Sequence, residues 1–454
     1  MRKLERIPAD NLTVISAYLR IQGQHKALLE SIPRDQSKSR YSVIAWNPVK
    51  DISYKDGLMQ INQETFATAD PLKELEKIVI TQQVLTEELP FQGGVIGYAG
   101  YDVIAAYEHI GQLPQDELGI ADLHFYLYES FLIFDHAKEE IILVEDNCYS
   151  QRESDALNKA LEKVQQDLRV IAPTELSYLQ DFHFDFTSNF TQEEFETTVN
   201  KVKDYIKAGD MFQMVPSQRL TTDFKIPPFD YYRHLRISNP SAYLYYLDFG
   251  DTKVIGSSPE SLVSVKDDIV TTNPIAGTRK RGGDKAEDQH LAEELLADEK
   301  ERAEHMMLID LGRNDLSRVS EVGSVTVPVL MIIEKYRYVM HIVSLVTGKL
   351  AAGKTTMDAL KATLPAGTVS GAPKIRAMQR IYEFEPVRRG IYAGAVGYFS
   401  QDDQGDFAIA IRTMVVHQEK AYVQAGAGIV YDSDPTSEYF ETLQKAKALL
   451  EVRR

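Results

Sequence analysis

Residues 393–426 read AGAVGYFSQDDQGDFAIAIRTMVVHQEKAYVQAG, and this stretch decides the fold class. It contains three β-rich runs, 393–399, 408–417 and 420–426, separated by hairpin turns. Strands that follow one another through hairpins pair antiparallel, whereas strict alternation with helices would build a parallel, doubly wound sheet. Upstream, the runs 242–249, 253–257 and 338–348 are grouped in the same way, with long helical segments between groups. The expectation is an α+β protein with large antiparallel β-sheets.

Working outward, the start of the chain alternates short strand-like runs, such as 126–134 and 140–144, with turns. A charged helix over 151–170 closes this part, and Pro173 with the polar and aromatic stretch 178–189 reads as a linker. Thr191 and Glu194 then form a capping box that opens the next helix. Two domains are expected, 1–175 and 190–454. An internal echo, Gly94-Val95-Ile96-Gly97-Tyr98 against Gly394-Ala395-Val396-Gly397-Tyr398, fits either related halves or a chance repeat of strand glycines.

The 454 residues and their apolar fraction are ample for a real core. A net charge of −17 argues against nucleic acid and anionic membrane as partners, while leaving room for a local basic pocket for a small anion. No run of eighteen apolar residues occurs, and residues 1–11 are charged rather than signal-like. The single cysteine, Cys148, excludes an internal disulfide and a Cys-rich zinc site, so a cytoplasmic location is expected. Its neighbours match no thiol-nucleophile motif, which makes it a surface or strand-end cysteine.

Two acidic pairs carry the first chemical signal: Glu301 with Glu304, and Glu438 with Glu441. Each i, i+3 spacing puts both carboxylates on one helix face. One helix is expected to end at Gly312, and the other to begin with Asp434 as N-cap and Pro435 at the first turn. Glu301 and Glu304 share a stripe with Leu308 and Leu311, so these acids face the core side. An unpaired carboxylate there is strongly destabilised or must be protonated, which calls for a cation. Two such pairs brought together suit a hard divalent metal with oxygen ligands. Glu438 and Glu441 equally fit a solvated face, because Phe440, Leu443 and Ala446 lie on the other side of their helix.

Residues 348–355, GKLAAGKT, formally match a phosphate-binding P-loop. The alternation of Val343, Leu345, Thr347 and Lys349 instead carries the strand on through Gly348, and hairpin-like strands follow where a P-loop needs a parallel sheet.

Several ordered motifs are more specific: GDMFQ (209–213), GSSPE (256–260), PIAGTR (274–279), EHMMLIDLGRND (304–315) and PAGTVSGAPK (365–374). His341, Tyr392, IRT (411–413), GAG (426–428) and EYFETLQK (438–445) continue the series. With these the chain resembles the chorismate-utilising enzymes, most closely the large-subunit branch of anthranilate synthase. The resemblance implies two β-sheets packed as a sandwich with helices outside. It also implies a magnesium site in which Glu304 and Glu441 are ligands, with Glu301 and Glu438 completing the set through water.

For the substrate, chorismate, the resemblance implies that Arg412 and Tyr392 hold the pyruvyl carboxylate with the amides of Gly426, Ala427 and Gly428, assisted by Lys445. Gly277 and Thr278 lie on the ring-carboxylate side. Glu260 is the expected acid for the departing C4 hydroxyl, and His341 serves the elimination of pyruvate. Gln213 stands where water-adding relatives carry a lysine base, which favours ammonia as nucleophile. Ala276 stands where enzymes that aminate chorismate at C4 for the folate pathway, the aminodeoxychorismate synthases, usually carry a lysine. Amination at C2 and release of anthranilate are therefore expected, with 4-amination as the alternative.

No amidotransferase motif surrounds Cys148, so ammonia is expected from a separate glutamine amidotransferase subunit. Residues 28–31, which include Glu30 and Ser31, resemble with 40–42 the family's tryptophan-binding element. Pro240, Ala242, Tyr243 and Leu244 form its other wall, and feedback inhibition by L-tryptophan is expected.

Overall fold

The alternating apolar residues of the hairpins resolve into two antiparallel sheets of eleven and twelve strands. A computed structural model describes residues 1–31, 40–81, 83, 85, 87–170, 182–335 and 339–452. The eleven-stranded sheet has at its centre Ala27–Glu30, Tyr243–Phe249, Thr252–Ser258 and Thr413–His417 as successive neighbours. In the twelve-stranded sheet the central run is Ser261–Lys266, Gly405–Ile409, Ala395–Ser400, Gly94–Ala99 and Leu123–Tyr128. Ala27, Val43 and Tyr245 of one sheet share a buried core with Ile96, Tyr98 and Val396 of the other. This is the expected α+β sandwich.

Helices cover the outer faces because their apolar stripes have nowhere else to be buried. Ser154–Arg169, Pro228–Ser238 and Pro435–Leu450 pack on the first sheet through Leu161, Tyr231 and Leu449. Pro71–Val79, Thr356–Thr363 and Lys374–Phe384 pack on the second through Leu75, Leu360 and Ile381. Both sheets mix strands from before and after the linker: Glu30 lies opposite Leu244, and Gly97 opposite Gly397. The expected boundary at residue 175 lies outside the described residues, as does Tyr338, the first residue of the 338–348 run.

The run 408–417, expected as one strand, is two strands in different sheets. Gly405–Ile409 belongs to the twelve-stranded sheet and Thr413–His417 to the eleven-stranded one. Between them Arg412 adopts a left-handed backbone with φ of 51°, which costs an L-residue about 1–2 kcal/mol and turns the chain out of its ladder. A second chain makes the same passage beside it, from Thr252–Ser258 into Ser261–Lys266. The two passages are stitched together. Ser258 Oγ donates to the Ile409 carbonyl (2.7 Å), the Ile409 N–H to the Glu260 carbonyl (3.0 Å), and the Ser257 N–H to the Arg412 carbonyl (3.0 Å).

Two further expectations change. The helix carrying Glu301 runs from Glu299 to Ser317 and does not stop at Gly312. That glycine is buried inside the helix, where a Cβ would come within 3.1 Å of Thr272 Cγ2, so it serves close helix-to-sheet packing rather than termination. Phe440 is 53% exposed, although the wheel grouped it with the apolar face. The P-loop match fails structurally: Val339–Lys349 passes straight through Gly348 and pairs antiparallel with its neighbours.

The glycine echo has a local cause. Gly97 and Gly397 face each other in the centre of the sheet, and a Cβ on either would fall 2.1 Å from the His124 carbonyl oxygen or 2.0 Å from that of Asp406. Backbone cannot retreat as a side-chain tip can. Gly97→Ala and Gly397→Ala are each expected to destabilise the protein by about 1–3 kcal/mol, read as a lower denaturant midpoint. An unchanged midpoint for both would contradict this packing.

Candidate active site

Among the residues at the paired sheet crossings are Glu260 and Arg412, two of the expected site residues. Chain leaving a ladder points its side chains into the gap between elements. Burial pushes the Glu260 carboxyl up from its ordinary value to about 7, opposed by the facing Thr368 hydroxyl and the Lys445 ammonium. Thr368 Oγ1 is itself buried without a well-formed hydrogen bond. A carboxyl so poised is half protonated near neutrality and suited to donate a proton. Arg412 Nη1 donates to the Lys445 carbonyl at 2.9 Å, and burial lowers the guanidinium pKa from its usual value.

Around Arg412 lie the other residues expected to hold a carboxylate. Lys445 Nζ donates to the Gly426 carbonyl (3.0 Å) and pairs with Glu441 Oε1 (2.8 Å). The Tyr392 hydroxyl lies 3.0 Å from where a Cβ on Gly426 would stand, so only glycine admits this approach. Burial pushes that phenol up to about 12, and it therefore stays protonated as a donor. Ala427 is fully buried between the two glycines, and a Cβ on Gly428 would meet Gln213 Nε2 at 2.9 Å.

The acids adjoin this set, Glu441 through Lys445 and Glu304 through Gln213. Gln213 Nε2 is 3.5 Å from Glu304 Oε1, at the long limit of a hydrogen bond. Burial and then the neighbouring Glu301 carboxylate push the Glu304 pKa upward, and Glu441 adds to this. Glu438 is raised by burial and then by Glu441. Among the described residues no three His, Cys, Asp or Glu side chains converge tightly as a metal-ligand group. Glu301 instead pairs with Arg279 at 3.5 Å, and Glu441 with Lys445. The donor chemistry nonetheless fits a hard divalent cation, since these carboxylates supply only oxygen and the buried ones are destabilised by each other's charge.

Next to Glu301, on the Ile275–Lys280 strand, are Ala276, Gly277 and Thr278. A Cβ on Gly277 would stand 3.1 Å from Glu301 Oε2, so the glycine sets how near this strand comes to the acids. His341 Nδ1 lies 2.9 Å from the Gly277 carbonyl and 3.0 Å from Thr278 Oγ1. A carbonyl only accepts, so Nδ1 carries a proton.

The residues expected to bind tryptophan gather elsewhere, where three strands of the eleven-stranded sheet adjoin. Glu30 lies between Leu244 and Ser42 in register, and Ser31 follows it. Pro240 and Ala242 lead into the strand that carries Tyr243 and Leu244, and the Tyr243 hydroxyl donates to Asp406 at 3.1 Å. The sequence reading did not find Arg236 and Tyr232, which hold Glu30 at 2.7 Å and 2.6 Å. It also missed the role of Thr368 beside Glu260 and of the buried ion pair Glu385 with Arg389. The i, i+4 spacing of that pair was visible, its burial was not. Cys148 is inert as a nucleophile, because burial and the nearby Asp146 and Glu129 carboxylates push its thiol far above the usual range.

Known proteins share this architecture. A family model for chorismate binding enzymes matches residues 24–451. The chain is similar to anthranilate synthase component 1 of Lactococcus lactis subsp. lactis, with 54% identity over 100% of both chains. It is 45% identical to the component 1 of Pseudomonas aeruginosa, over 97% of this chain and 93% of that one. The crystal structure of anthranilate synthase component I from Streptococcus pneumoniae superposes with a TM-score of 0.87 at 51% identity, covering 98% and 99% of the two chains. The menaquinone-specific isochorismate synthase MenF of Escherichia coli shares the fold, at a TM-score of 0.75 and 21% identity. With the ordered motifs, the sandwich and its two stitched crossings all accounted for, the chain belongs to the chorismate binding enzyme family.

Proposed function

We propose that the chain catalyses amination of chorismate at C2 by ammonia, followed by loss of pyruvate, to give anthranilate in tryptophan biosynthesis. The observation that carries the chemistry is Glu260, a carboxyl held near pKa 7 at the sheet crossing. Ammonia adds at C2, both ring double bonds shift to expel the C4 hydroxyl, to which Glu260 gives its proton so that it leaves as water, and the added nitrogen gives up a proton to become the amine. Loss of the C2 proton and cleavage of the ether bond then release pyruvate and leave the aromatic ring. His341, oriented by its Nδ1 bond to the Gly277 carbonyl, serves this second step. Arg412, Tyr392, Lys445 and the amides from 426 to 428 hold the pyruvyl carboxylate, and Gly277 with Thr278 lies at the ring carboxylate.

Glu304 and Glu441 would hold magnesium, with Glu301 and Glu438 joining through water; when bound, the ion supplies a counter-charge for the ring carboxylate. The choice of nucleophile and position rests on two side chains. Gln213 lacks the basicity to activate water, and Ala276 offers no nucleophile of its own. A partner is part of this reading: the relatives are named as component 1, which fits ammonia delivered by a glutamine amidotransferase subunit. Residues 190–454 would carry the chemistry, and 1–175 the tryptophan element with its second wall at 240–244. No described helix is long and apolar enough to cross a membrane, and a cytoplasmic location fits the proposed metabolism.

The isolated chain with chorismate, magnesium and an ammonium salt is expected to form fluorescent anthranilate, identified by chromatography, and Glu304→Ala to abolish it. Recovery of 4-amino-4-deoxychorismate would overturn the inference from Ala276. Expressed per free ammonia, kcat/KM is expected to fall as pH rises through about 7, because Glu260 must be protonated to act. Glu260→Gln should remove that limb and slow turnover by about 10²–10⁴-fold; an unmoved limb would exclude Glu260 as the acid. For feedback, Glu30→Gln retains partners for Arg236 and Tyr232 but loses the charge that would face tryptophan's ammonium group. The inhibitory concentration should rise about tenfold, and equal sensitivity would remove Glu30 from the site.

A further inference from the structure

Arg389 is among the largest fully buried side chains of the protein, at 2% exposure, and the reaction scheme above does not use it. A guanidinium taken out of water needs acceptors for its N–H groups, and here four of the five donors have one. Nε and Nη2 fork onto Glu385 at 2.9 Å and 2.6 Å, Nη1 donates to the Val369 carbonyl at 2.7 Å, and Nη2 also donates to the Val215 carbonyl at 2.6 Å. Glu385 in turn accepts from the Ser217 N–H and hydroxyl, both at 2.8 Å. The guanidinium lies 4.6 Å from the ring centre of Tyr101 and 5.5 Å from that of Tyr392.

What these contacts join is specific. Val369 follows Thr368, whose hydroxyl faces Glu260. Val215 ends the segment that begins at Gln213, and Gln213–Met214 pairs with Gly371–Ala372, so both carbonyls flank one two-stranded ladder. The Val215 N–H closes the same unit on the Ser370 carbonyl at 2.9 Å. Tyr392 is three residues beyond Arg389 in the chain. One side chain thus touches the three segments that present Thr368, Gln213 and Tyr392.

We propose that Arg389, fixed by Glu385, is a positioning residue that holds the Thr368 turn, the Gln213 strand and the Tyr392 ring in mutual register for the reaction. It touches no reacting atom. A buried ion pair contributes little net stability compared with well-packed neutral residues, so stability alone does not account for it. Lysine cannot replace the fork, since one ammonium cannot reach Glu385 and both carbonyls in a plane. The inference rests on the proposed chorismate amination.

The test uses the full chain with magnesium, chorismate and ammonium, comparing wild type with Arg389→Lys and with the neutral double variant Glu385→Gln/Arg389→Met, which removes the buried charges together. Anthranilate fluorescence gives kcat and KM, and hydrogen exchange is followed over residues 213–217 and 366–372. Both variants are expected to lose about 10- to 100-fold in kcat, the effect of displacing catalytic groups by around 1 Å, with faster exchange confined to those two segments. A kcat within twofold of wild type in a folded variant, or exchange rising evenly over the molecule, would overturn the proposal. Failure of the wild type itself to make anthranilate would refute the proposed reaction instead, an outcome distinct from equal variants.

Discussion

Everything about this site depends on two chains changing sheets at the same level. Thr252–Ser258 and Gly405–Ile409 each continue into the opposite sheet, and hydrogen bonds among Ser257, Ser258, Glu260, Ile409 and Arg412 lock the passages together. A sandwich normally spends its backbone donors and acceptors within each layer. Where a strand leaves its layer, the backbone satisfies itself locally and the side chains are released from the strict in-and-out alternation. That is how an acid and an arginine come to stand at neighbouring crossings between two apolar sheets.

The electrostatics follow from the same burial. Desolvation raises Glu260 and Glu304, and neighbouring carboxylates raise Glu304 further, while Lys445 beside Arg412 pairs with Glu441. The site thus sets cations beside carboxylates, which suits a substrate carrying two carboxylates. Behind it the Arg389 guanidinium ties neighbouring loops through backbone carbonyls. The segment proposed to bind tryptophan is mechanically adjacent as well: the Ser257 hydroxyl donates to the Asn239 carbonyl, while its N–H donates to the Arg412 carbonyl.

Local signals were legible wherever the physics is local. The capping box of Thr191 and Glu194 and the Asp434 cap both form as the spacing requires. The continuation of the strand through Gly348 was readable from its period of two. Gly312 misled because a glycine near a helix end usually terminates it, whereas here the missing side chain makes room for Thr272 from a distant strand. Phe440 misled because a wheel describes one helix, not what packs on it. The break at Arg412 was invisible, since both halves of 408–417 carry the same apolar alternation and both sheets offer an apolar inner face.

The sequence by itself determined the classes of element, the hairpin connections that make the sheets antiparallel, and the acidic pairs and ordered motifs that name the chemistry, because these depend on neighbours a few residues apart. Only the tertiary structure decided which residues meet: Gln213 with Glu304, Lys445 with Gly426, Arg389 with the loops at 215 and 369. Those contacts span tens to hundreds of residues, and burial and proton affinity are properties of the packed interior, so no local pattern encodes them.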